Sequence, residues 1–421
     1  MSSVAYSGTA GAGFRRLTSA FTRVYGGRKG VGAALAVYRH GEPILDIWTG
    51  ESAPERPWTR DTGAMVFSAT KAIASTGVHR LADRGLIDYD APVAEYWPEF
   101  GCNKKDCITV RQVLTHSAGL SGVGTLAAHG SELLDHELMA QRLAAATPDR
   151  LLGVPAYHAM TYGWLLAGLA RAVTGSSMKQ LFQQEVAQPL GIEGIHLGRP
   201  PAGSMTMAAE SFGTGFAFAG TPHGSRLVSL LQNIPGVLGV SSRSLFIPGA
   251  EAILAGPNPP VLDSEMPAAN GVCTANGLAA MYEPLACDGM AGGQRYLSGA
   301  TMQAIRRIER YRPDTGLFLY MGPLWHLGYH AMPTVGAPRG FGHIGLGGSF
   351  GWADPDSGLS VGFAHNRLSL DMLAVDQPAF AWLLPLVVGG ARSARRIARR
   401  TPRDAAACPG GRAADGAGQV R

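Results

Sequence analysis

Apolar and polar positions alternate along GAALAVYRHGEPILDIWTGE, residues 32–51, on both sides of His40-Gly41. Period-two alternation around a two-residue turn predicts a β-hairpin. A second pair of short strands is predicted near the other end, where Ser349–Ala353 and Leu359–Ala364 flank the turn-forming run DPDSG. Between them the period changes. Residues 11–26 read as a helix, and LMAQRLAAATP, TYGWLLAGLARAVTG and MKQLFQQEVAQPLG each carry apolar residues at i, i+3, i+4 spacing before a Gly or Pro. Strands at both ends of the chain that enclose helices predict a discontinuous α/β (α+β) domain with a helical part inserted. The α/β part is placed at about 10–65 and 335–390 and the helical part at about 70–330, together one catalytic unit over 1–390.

Composition adds the size of the core and the place of the charge. With 421 residues and 46% hydrophobic content, the chain can bury a large interior. No run reaches the roughly 18 apolar residues of a bilayer span, and the first thirty residues lack the features of a signal peptide, so a cytoplasmic protein is expected. The formal charge is +5, but eight arginines and only two aspartates lie from Ala391 onward, leaving the rest of the chain near −1. That distribution argues against a nucleic-acid-binding body. It marks 391–421 as a basic, disordered extension. The apolar stretch before the arginines at 392, 395, 396, 399, 400 and 403 could also bring the chain to an anionic membrane surface. Five cysteines read as free thiols; Cys102 and Cys107 have no partner pair to complete a zinc site, so neither metal nor cofactor is expected.

Two serine motifs compete for the chemistry. Gly347-Gly348-Ser349-Phe350-Gly351 fits G-x-S-x-G, which in a chain with 57 glycines arises easily by chance. A nucleophile elbow also needs a helix after its serine, whereas a strand and turn follow Ser349. Its glycines then serve a strand edge running close beside a bound substrate. Ser68-Ala69-Thr70-Lys71 fits S-x-x-K at the start of a helix with the apolar face Ile73, Gly77, Val78 and Leu81 and a C-cap at Gly85. An i, i+3 spacing stacks Lys71 beneath the serine hydroxyl. Burial and the positive helix end can lower a lysine's pKa enough to make it a base, and the same helix end offers N–H groups to an oxyanion. A second match, Ser176 to Lys179, reads as an N-cap with an exposed lysine.

The S-x-x-K run is followed in order by VLTHSAGL at 113–120, Tyr157 ahead of a helix, and His343-Ile344-Gly345 before the late hairpin. This order resembles the serine β-lactamase-like superfamily, and within it the class C-like esterases and lipases, over about residues 15–385. The resemblance implies a β-lactamase/transpeptidase-like fold and an acyl-enzyme mechanism. It implies Ser68 as nucleophile, Lys71 as base, Tyr157 as proton shuttle, and the N–H groups of Ser68 and Leu346 as an oxyanion hole beside His343 and Gly345. Tyr162 is equally near in sequence, which leaves the choice of tyrosine open. The departures bear on substrate. Ala159 replaces the asparagine of Y-x-N, His343 replaces the lysine of K-T-G, and no E-x-E-L-N element is present. A neutral imidazole offers no fixed charge to a lactam carboxylate. A small-molecule ester or lipid with a neutral acyl group is therefore the expected substrate, with acyl transfer, weak lactam or peptide cleavage, and a non-catalytic scaffold as alternatives.

Overall fold

The computed structural model describes residues 6–211, 213, 230, 232–234, 237–254, 256–309, 314, 324–369 and 373–400. The early hairpin forms as its pattern predicts, from β2 (Gly32–Arg39) and β3 (Glu42–Ala53), with Arg39 opposite Glu42. Both turn residues, His40 and Gly41, have positive φ (48° and 81°), the left-handed backbone conformation that lets a two-residue turn follow the right-handed twist of its strands. β1 (Ser7–Ala10) adds to β3 and the short β4 (Arg56–Pro57) pairs off its end.

The later strands β11 (His330–Ala331), β12 (Phe341–Ile344), β13 (Phe350–Asp354) and β14 (Leu359–His365) join the same antiparallel sheet in the order β1-β3-β2-β14-β13-β12-β11. β2 pairs with β14 from Ala33↔His365 to Arg39↔Leu359, so the two ends of the chain close one sheet. Alternation along β2 sends Ala33, Leu35 and Val37 to one core and Ala34 and Ala36 to another. Both faces are covered. Helices α1 (Arg15–Tyr25) and, at the far end of the chain, Ala379–Arg400 lie on the first, through Phe14, Leu17, Phe21, Leu383, Leu384 and Val387. Helix Ala275–Ala286 lies on the second, so close that a Cβ on Gly362 would run into the Ala275 carbonyl.

The inserted part contains α2 (Thr70–Asp83), α3 (His136–Ala145) and α4 (Thr161–Thr174), close to their predicted bounds. It is not purely helical. A second sheet of β6 (Ile195–Leu197), β8 (Gly271–Cys273), β5 (Thr62–Met65) and β7 (Met207–Ala208) runs through it, together with the hairpin β9 (Met290–Ala291) and β10 (Gln294–Arg295). These strands are two to four residues long, too short to show a period. The run 178–190 is one continuous helix whose middle, Phe182–Ala187, is π-helical.

The expected boundary at residue 390 is corrected. The last helix continues through Pro385 and Gly389-Gly390 to Arg400, and Ala391 is fully buried. Gly390 lies under the Phe14 ring and Gly13 against Ala394, contacts that leave no room for a side chain at either glycine. Tertiary packing outweighs the weak helix propensity of glycine. The remainder of the extension, 401–421, lies outside the described residues. The stretch Ala374–Ile397 is also long and apolar enough to cross a bilayer, contrary to the reading from apolar runs, but half of it is buried within the fold.

Candidate active site

β5 delivers the chain to Ser68. Val66 N–H donates to Gly271 O at 2.8 Å, and Phe67 then takes a left-handed φ of 46° to open the 3₁₀ turn Phe67–Ala69 that leads into α2. A bulky residue in that region costs of order 1–3 kcal/mol and persists where neighbours hold it. Thr70 is such a neighbour. Its hydroxyl donates to Phe67 O at 2.5 Å and accepts from Gly271 N–H at 2.9 Å, tying the turn to β8. Ser68 is left partly exposed at the mouth of the helix.

Lys71 is fully buried one turn below. Its Nζ is 3.0 Å from Ser68 Oγ, 2.6 Å from Ala159 O and 2.9 Å from Ala268 O. Burial lowers the ammonium well below 10.5. A neutral amine has two hydrogens and one lone pair, which this site matches with two carbonyls and one hydroxyl.

Tyr157 lies beside them, with Lys71 Nζ 4.9 Å from its ring centroid. Burial raises its phenol above the usual 10, an effect opposed in part by a hydrogen-bonding interaction with Ser68. The ring stacks on Trp325 at 5.8 Å between centroids, and Asp314 joins the two: its carboxylate accepts Tyr157 N–H at 3.1 Å and Trp325 Nε1–H at 2.9 Å. The other tyrosine of this stretch is engaged elsewhere. Tyr162 OH is engaged with Ser75 Oγ at 2.6 Å.

The end of β12 closes the group. A Cβ on Gly345 would collide with the Val66 carbonyl, which places the His343-Ile344-Gly345 edge directly against the Ser68 turn. His343 is fully buried, its Nδ1 faces Ile344 O at 3.0 Å, and burial together with His330 and Lys71 holds its pKa well below 6.5. Leu346, the next residue, is half-buried. Ser68, Lys71, Tyr157, His343, Gly345 and Leu346 therefore come together in space.

Ser349 does not join them. It is buried, its Oγ accepts His365 N–H at 3.3 Å, and its carbonyl accepts Gly345 N–H at 2.7 Å, so it ties β13 to its neighbours. The glycines around it face protein, which corrects the expectation that they face substrate. Gly348 abuts the Asp376 carbonyl and Gly351 lies under the Tyr282 ring. Ser177 is the N-cap of its helix, one residue after the expected Ser176, and Lys179 is exposed. Cys102 and Cys107 are exposed free thiols, and no metal-binding cluster occurs among the described residues.

Sequence reasoning missed three histidines. His116, from the VLTHSAGL run, accepts His158 N–H at Nδ1 (3.1 Å), and thereby holds the segment that carries Tyr157 and the Ala159 carbonyl. His158 accepts Leu120 N–H at 3.1 Å and faces Ala156 O at 2.7 Å; His330 accepts Ile344 N–H at 3.2 Å. Burial lowers His158 and His330 to about 4 and His116 well below 6.5. Each accepts a backbone N–H at a ring nitrogen, so each must be neutral. A lone histidine on an apolar segment carries no such signal in a single sequence.

A family profile described as Beta-lactamase matches residues 17–384. Esterase/beta-lactamase LipL of Mycobacterium tuberculosis (strain ATCC 25618 / H37Rv) is 46% identical over 392 residues, covering 92% of this chain and 89% of that protein. Esterase EstB of Burkholderia gladioli is 31% identical over 200 residues, 42% of this chain and 50% of EstB. Among solved structures, a family VIII carboxylesterase superposes with a TM-score of 0.76 at 29% identity, covering 93% of this chain and all of that one. On this match of sequence and architecture, the chain belongs to the Beta-lactamase family and has its β-lactamase/transpeptidase-like fold.

Proposed function

We propose that the protein is a serine carboxylesterase that works through an acyl-enzyme on Ser68. The observation that carries this reading is the environment of Lys71: a buried Nζ 2.6 and 2.9 Å from two carbonyl oxygens and 3.0 Å from Ser68 Oγ, a set of three partners that suits a neutral amine able to take the serine proton. Ser68 Oγ attacks the ester carbonyl carbon and its proton passes to Lys71 Nζ. Negative charge on the former carbonyl oxygen meets the N–H groups of Ser68 and Leu346. Tyr157, kept as a phenol by burial, relays a proton to the departing alkoxide. Water then attacks the acyl carbon, with the same groups acting in reverse.

The esterase names of the relatives agree with this reading. So does the neutral His343, which offers no fixed charge to a lactam carboxylate. Short p-nitrophenyl esters and a chromogenic cephalosporin, assayed side by side, test the substrate class. The expected result is a kcat/KM for the ester at least about 10²-fold above that for the lactam, the scale on which one ionic contact discriminates. Equal or reversed values would reassign the enzyme to lactam hydrolysis.

A basic face favours contact with an anionic lipid surface. α1 and the Ala379–Arg400 helix contain no acidic residue, and Arg15, Arg16, Arg23, Arg392, Arg395 and Arg396 are all exposed on them. Arg15, Arg16 and Arg23 line a depression of about 490 Å³, and Arg395 is close enough to Arg39 to lower its pKa, second to burial. Each arginine near an anionic leaflet contributes about 1 kcal/mol. The full chain should float with phosphatidylglycerol vesicles at low salt, and replacing Arg15, Arg16, Arg395 and Arg396 by Gln should abolish flotation. A wild-type chain that stays in the soluble fraction contradicts this.

A further inference from the structure

The turn after β12 uses its N–H groups almost completely. Ile344 N–H donates to His330 Nε2 at 3.2 Å, Gly345 N–H to Ser349 O at 2.7 Å, Gly347 N–H to Gln377 Oε1 at 2.9 Å and Gly348 N–H to Gly345 O at 3.0 Å. Between Ile344 and Gly348, Leu346 N–H alone has no acceptor among the described residues. Gln377, 2% exposed, closes the arrangement by donating from Nε2 to Gly345 O at 3.2 Å. One primary amide thus holds the groups on both sides of Leu346.

Gly345 C=O and Leu346 N–H belong to the same peptide plane, and in a trans peptide they point in opposite directions. Holding the oxygen therefore aims the N–H. Glycine at 345 places little steric restraint on rotation of that plane, and a flip would turn a carbonyl oxygen toward Ser68. We propose that Gln377 is the positioning residue for the oxyanion hole: its side-chain amide fixes the 345–346 peptide so that Leu346 N–H faces the acyl carbon on Ser68.

Gln377 is itself anchored. The carboxylate of Asp376 binds the Arg367 guanidinium through two hydrogen bonds of 2.7 and 2.5 Å, both side chains buried, and Tyr25 OH donates to it at 3.1 Å. The Asp376 carbonyl lies directly against Gly348. His365 Nε2 faces Gly347 O at 2.8 Å from the other side. The turn is gripped from two elements, and among the described residues Gln377 reaches both flanks of Leu346.

This inference rests on the reading of Leu346 N–H as an oxyanion donor, and the test separates the two. Gln377→Glu keeps the length and the acceptor for Gly347 N–H but sets an oxygen against Gly345 O; Gln377→Met removes both contacts. Leu346→Pro deletes the N–H itself. Steady-state hydrolysis of p-nitrophenyl butyrate and inhibition by a trifluoromethyl ketone, which forms the oxyanion, are measured on each variant after its folding is checked by thermal unfolding. Both Gln377 variants should lose about 10- to 100-fold in kcat with KM changed by less than about 3-fold, the pattern of an interaction made in the transition state. Ketone affinity should fall in parallel. Combined with Leu346→Pro, either substitution should add little, because both act through one N–H.

If folded Leu346→Pro retains kcat, the oxyanion reading fails, and the inference with it. A Leu346→Pro loss with wild-type kcat in both Gln377 variants overturns the inference alone. So do losses that add fully in the double variant, or losses confined to KM. If Leu346→Pro does not fold, the Gln377 variants still decide through kcat and ketone affinity.

Discussion

At the residue scale the proposed chemistry depends on Lys71, whose pKa burial lowers well below 10.5. kcat/KM should rise with pH through a pKa well below 10.5, because only the neutral Lys71 amine can take the Ser68 proton. Lys71→Arg should then lose activity at every accessible pH, since a guanidinium stays charged. A profile that first rises near pH 10 would contradict the assignment. Tyr157→Phe should cost about 10²- to 10⁴-fold in kcat, the usual contribution of a positioned proton donor. Ser68 and Lys71 could be singled out because S-x-x-K carries its own geometry at i, i+3, whereas Tyr157 was suggested only by the order of motifs in the family resemblance. Gln377, Asp314 and His116 were not, because each acts on a backbone group that lies far away in sequence, and a single sequence contains no record of such pairs.

At the element scale the longer strands and helices were the readable ones, because a period needs several residues to show. The hairpin β2–β3 followed from alternation around His40-Gly41, and α4 from apolar residues ahead of Gly175, which takes the left-handed C-cap with φ 72°. The short strands β5 and β8 were not legible, although they carry the chain to Ser68; three or four fully buried residues show no period. The end of the last helix was misread because Gly389-Gly390 looks like a stop when the Phe14 ring above it is unknown. That contact makes a prediction. A chain ending at Gly390 should be less stable than one ending at Arg400, by about 1–3 kcal/mol as for other losses of core packing, and a denaturant titration would read the difference. Equal midpoints would mean that the helix beyond 390 adds nothing to the fold.

At the scale of the whole molecule, one antiparallel sheet is closed by both ends of the chain, and the proposed active site draws on four separated stretches, near residues 68, 116, 157 and 345. Neutral imidazoles fill its interior. His79, His158, His326 and His330 are each lowered from 6.5 to about 4 by burial, so the unfolded chain binds more protons between those values. Stability is therefore full above pH 6.5 and falls as pH drops toward 4, by up to about 1.4 kcal/mol per pH unit for each histidine. Unfolding midpoints at pH 7 and pH 5 should differ accordingly, and a flat profile would show that these rings are hydrated. The central claim is that the reactive serine is Ser68, and the most direct measurement is to label the full chain with a fluorophosphonate and map the modified peptide by mass spectrometry. The adduct should lie on Ser68, vanish in Ser68→Ala and persist in Ser349→Ala. An adduct on Ser349, or labelling that survives loss of the Ser68 hydroxyl, would contradict it.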